Sequence, residues 1–91
     1  MSCDPERVFG LAQQAAGVIA ARHRGDLAGA DALLAGFPDD AARVHGFVLL
    51  AELALALVRA QTGQSMNDLV QELSLHMAAA ALHPPGGSAA A

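Results

Sequence analysis

Apolar residues recur at helical spacing along nearly the whole chain, in four blocks separated by short glycine-containing breaks. In the first block Val8, Leu11, Ala12, Ala15, Val18, Ile19 and Arg22 share one face of a predicted helix, with Gln13, Gln14 and Gly17 largely off it. Asp4-Pro5-Glu6 is a helix start: an aspartate to cap, a proline suited to the first position and an acid at the positive end of the dipole. The helix is expected to end near Arg24, with Gly25 as terminator. Asp26 opens a short second helix with the stripe Leu27, Ala30, Leu34 and Phe37, closed by Gly36 and Pro38. So tight a connection predicts an antiparallel helical hairpin.

Asp39 and Asp40 cap a long third helix, expected to run to about Thr62, where Gly63 can take a left-handed terminal conformation. A fourth helix is predicted from the cap Ser65, paired with Asp68, to Leu82, with Met66, Leu69, Val70, Leu73, Met77 and Ala80 as its inward stripe. No strand pattern is found. The expected architecture is all-α: a compact four-helix domain over residues 1–82, followed by a disordered tail over 83–91, whose prolines, glycines and alanines have little to bury.

The third helix is the most distinctive element. At about 100° per residue, His45, Glu52 and Arg59 fall on one line, and most of the remaining circumference from Val44 to Val58 is apolar. A helix wet along a single seam needs neighbours on its other sides. The chain therefore either places it centrally or covers it with a second copy, and alanines 51, 54 and 56 would let another helix approach closely. For a dimer, Phe47, Leu50, Ala54, Leu57 and Val58 are the expected buried contacts, and the His45, Glu52, Arg59 seam is the candidate recognition surface.

Composition narrows the classes of function. In 91 residues, a 54% hydrophobic share against 15% charged is the reverse of a disordered composition. A chain of this size buries only about 60 to 65% of its unfolded surface, so association would add stability. All five basic residues are arginines and the net charge is −4, with no basic stripe, which argues against nucleic acid as a partner. Cys3 is the single cysteine, so neither an internal disulfide nor a cysteine zinc cage is expected, and a reducing cytoplasm fits. The first residues do not read as a secretory signal. The longest apolar run, 47–58, is interrupted by Glu52 and is short for a bilayer, so no membrane is expected as a partner.

Little chemistry remains once helix ends are accounted for. Most acids lie at predicted helix starts, and Arg22, Arg24 and Arg59 toward ends, where the dipole favours them. Glu72 and His76 are spaced to share a helix face and are weak candidates for two ligands of a metal site, which would need a third ligand from elsewhere. Without it no metal and no cofactor is assigned. Ser65 and Ser74 read as a cap and a surface residue rather than as nucleophiles, and no phosphate-binding glycine pattern follows a strand. No catalytic residue is assigned.

Three local resemblances bear on function. Gly29-Ala30-Asp31-Ala32-Leu33 resembles the loop of acyl carrier proteins, in which a serine after the aspartate carries phosphopantetheine; Ala32 stands at that position, so nothing can be attached. Thr62-Gly63-Gln64-Ser65 with Leu69, Val70 and Glu72 resembles the inter-helix turn of ribbon-helix-helix DNA-binding regulators, which would make the fourth helix a reading element; it offers Asn67, Asp68, Gln71 and Glu72 and no arginine or lysine. The Arg24-Gly25-Asp26 turn between paired helices is similar to tetratricopeptide hairpins, but the second pair does not repeat the first. The reading these residues support is a non-catalytic interaction or regulatory module, homodimeric through its third helix or bound to another protein. The alternatives are a small DNA-associated regulator using the Gly63 turn, and a metal- or small-ligand-binding protein.

Overall fold

The computed structural model describes residues 5–82. Four helices account for almost all of them: α1 (Pro5–His23), α2 (Leu27–Ala35), α3 (Asp40–Thr62) and α4 (Met66–Leu82), with no strand among the described residues. The protein is all-α, with four helices bounded close to where the sequence places them. The cap expected at Asp4, the thiol of Cys3 and the tail expected over 83–91 lie outside the described residues.

The helix ends follow from local chemistry. After α1, the amide of Gly25 donates to the Arg22 carbonyl and that of Asp26 to the Ala21 carbonyl, while Gly25 takes φ +84°. These paired bonds are the Schellman arrangement, which needs a residue able to adopt the left-handed region. Asp26 then caps α2 by accepting from the Gly29 amide at 2.9 Å. Asp39 does the same for α3 through the Ala42 amide at 2.8 Å, and Ser65 for α4 through the Asp68 amide at 3.1 Å. Gly63, at φ +76°, ends α3 with its amide on the Arg59 carbonyl.

By its internal contacts the chain divides into two units, Met1–Ala54 and Leu55–Ala91, with the boundary inside α3. The core of the first unit is formed by Ala15, Val18, Ala21, Ala30 and Phe37, with Leu11, Leu33, Leu34, Ala42, Phe47 and Leu50 packed around them. The rings of Phe37 and Phe47 stand 6.1 Å apart, tilted by 39°, within the range of favourable aromatic pairs. Most of the fully buried residues are alanines. Val18 is the only large side chain wholly withdrawn from water among the described residues, so the apolar burial behind this unit is modest.

The inward face of α1 agrees with the expected one at Leu11, Ala12, Ala15 and Val18 and departs from it at Ile19 and Arg22, with Ala21 buried instead. Ala12, Ala15, Val18 and Ala21 are buried, whereas Ile19 is half exposed and Arg22 exposed. The reason is the close approach of α2. The Gln14 side-chain amide donates to the Leu33 carbonyl at 2.8 Å, and a Cβ added at Gly17 would lie 3.2 Å from Leu33 Cδ1. Small and amide-bearing positions thus meet α2, where apolar periodicity alone selects Ile19. Leu27, expected in the α2 stripe, lies exposed in that helix's first turn.

In the second unit Leu69 is the buried apolar residue of α4. The other members of its expected inward stripe differ: Met66 is partly buried, and Val70, Leu73, Met77 and Ala80 are exposed.

Candidate interaction surface

Asp40 and the glycine at position 46 orient the first half of α3. Arg43 pairs with Asp40 and also donates to the Leu34 carbonyl at 3.4 Å, tying the start of α3 to the end of α2. Gly46 is buried, and a Cβ built on it would lie 2.6 Å from the Leu11 carbonyl oxygen and 3.1 Å from the Phe37 ring. Only a glycine lets the backbones of α3 and α1 meet at that distance. The Gly46 side of α3 is therefore its core side in the first unit.

This assignment divides the residues expected at an interface. Phe47 and Leu50 are partly buried against the first unit's core, so their apolar surface is already in use. Ala54, Leu57 and Val58 are exposed, Leu57 at 69%. Val44, Val48 and Leu53 are also exposed; the sequence reading did not single them out. Val44 and Val48 lie one turn apart and Leu53 lies on another side of the helix, and on a helix apolar nearly all round no pattern marks which of them turns outward.

The seam residues His45, Glu52 and Arg59 are all exposed, as a line along the outer surface would be. The side chains of His45 and Glu52 make no hydrogen bond or ion pair among the described residues. Arg59 Nε donates to the Gln64 carbonyl at 3.4 Å and so braces the α3–α4 turn.

Within the second unit a groove of about 280 Å³ has Leu55, Val58, Leu69 and Leu73 as its apolar walls, with Glu72 and His76 at its edge. Glu72 Oε2 stands 3.9 Å from His76 Nε2, and its other oxygen accepts from the Gln64 side-chain amide at 3.0 Å. Both side chains are more than half exposed. Among the described residues no cluster of three or more His, Cys, Asp or Glu forms, so this pair gains no third ligand there. Ser65 Oγ serves as a cap and Ser74 Oγ donates to the Val70 carbonyl. No polar or charged side chain is buried among the described residues.

The length of α3 adds a property that the run 47–58 understated. Taken whole, Asp40–Thr62 is long and apolar enough to cross a membrane by length and composition, and 11% of its most apolar stretch is buried. Such a criterion is also met by core helices of soluble proteins, which are mostly buried. This one is mostly exposed.

The turn that resembles those of DNA-binding regulators is present, with Gly63 left-handed and Ser65 capping, but α4 behind it carries no arginine or lysine. No known protein family, curated protein or solved structure matches the chain. What the fold and this surface define is an all-α protein with an exposed apolar surface on α3 and α4.

Proposed function

We propose that this protein is a non-catalytic interaction or regulatory module that homodimerises through α3. The observation that carries the reading is the apolar surface that helix leaves exposed. Val44, Val48, Leu53, Ala54, Leu57 and Val58 are exposed on an element whose only charged residues between Gly46 and Arg59 reduce to Glu52. Exposed apolar side chains of this kind mark contact sites, because leaving them in water forfeits roughly 25 cal/mol for each Å² that a partner would cover. The thin alanine-rich core adds weight, since a second copy would supply burial that one chain lacks.

The test is light scattering coupled to size exclusion across a concentration series of the full chain. A dimer that persists into the low micromolar range is expected; a strict monomer at high micromolar concentration overturns the reading. Ala54→Arg places a long charged side chain on an exposed position and is expected to dissociate the dimer while helicity is retained.

A further inference from the structure

We draw no further inference here: the strongest candidate, the apolar surface that α4 exposes at Leu75, Met77 and Leu82 together with the second unit's groove walled by Leu55, Val58, Leu69 and Leu73, carries nothing because nothing in the structure shows what covers it.

Discussion

Gly46 of α3 faces the carbonyl of Leu11 in α1 so closely that a Cβ on the glycine would stand 2.6 Å from the oxygen. A backbone atom cannot swing aside as a flexible side chain can. Gly46→Ala therefore gains about 1 kcal/mol of helix propensity but forces α3 away from α1, at an expected cost of about 1 to 3 kcal/mol. Net destabilisation is expected in urea unfolding. Gly10→Ala is the control: it lies exposed inside α1 with nothing within 4 Å of the added Cβ, and a gain of about 0.5 to 1 kcal/mol is expected. If both substitutions stabilise, the close approach of α3 to α1 is wrong.

The Gln14 amide that donates to the Leu33 carbonyl occupies space left by Gly36, where a Cβ would fall 2.9 Å from the amide nitrogen. Gln14→Ala removes one partly buried hydrogen bond, an expected loss of about 1 kcal/mol. Gln14→Glu is expected to cost more, because a carboxylate then faces a carbonyl oxygen. Thermal unfolding of the two variants gives the order directly, and an equal or reversed order would remove this bond from the account of how α1 and α2 meet.

Each helix cap predicts a separable effect. Asp26→Ala, Asp39→Ala and Ser65→Ala each leave a helix-start amide without its side-chain acceptor, for a loss of about 1 kcal/mol apiece. Gly25→Ala and Gly63→Ala force a Cβ into the left-handed region, costing roughly 1 to 2 kcal/mol. Amide hydrogen exchange locates the change: loss of Ser65 should speed exchange at the start of α4, and loss of Asp26 that of α2.

The Glu72 and His76 pair is exposed and two-membered. Glu72→Gln and His76→Ala are each expected to shift stability by less than about 0.5 kcal/mol, as exposed pairs generally do. Added zinc is expected to leave the melting temperature unchanged, since a stable zinc site draws on three or four protein ligands. A rise of several degrees that His76→Ala abolishes would restore the metal reading.

What the amino-acid sequence determined by itself is the set of elements and their ends. Asp26, Asp39 and Ser65 act on amides three residues away, and Gly25 and Gly63 act on the turn they occupy, so these signals need nothing from the rest of the chain. The second half of the problem, which face of each helix turns inward, was not legible in the same way. On α3 and α4 apolar residues occupy nearly every direction, and on α1 the choice lay between Ile19 and a strip of small residues. Tertiary structure decided it by fit: Gly46 against the Leu11 carbonyl, Gly17 and Gln14 against Leu33. Those contacts join residues far apart in sequence, and they select the smallest side chains rather than the most hydrophobic. That is why Phe47 and Leu50 turned toward the first unit's core while Val44 and Val48 remained outside.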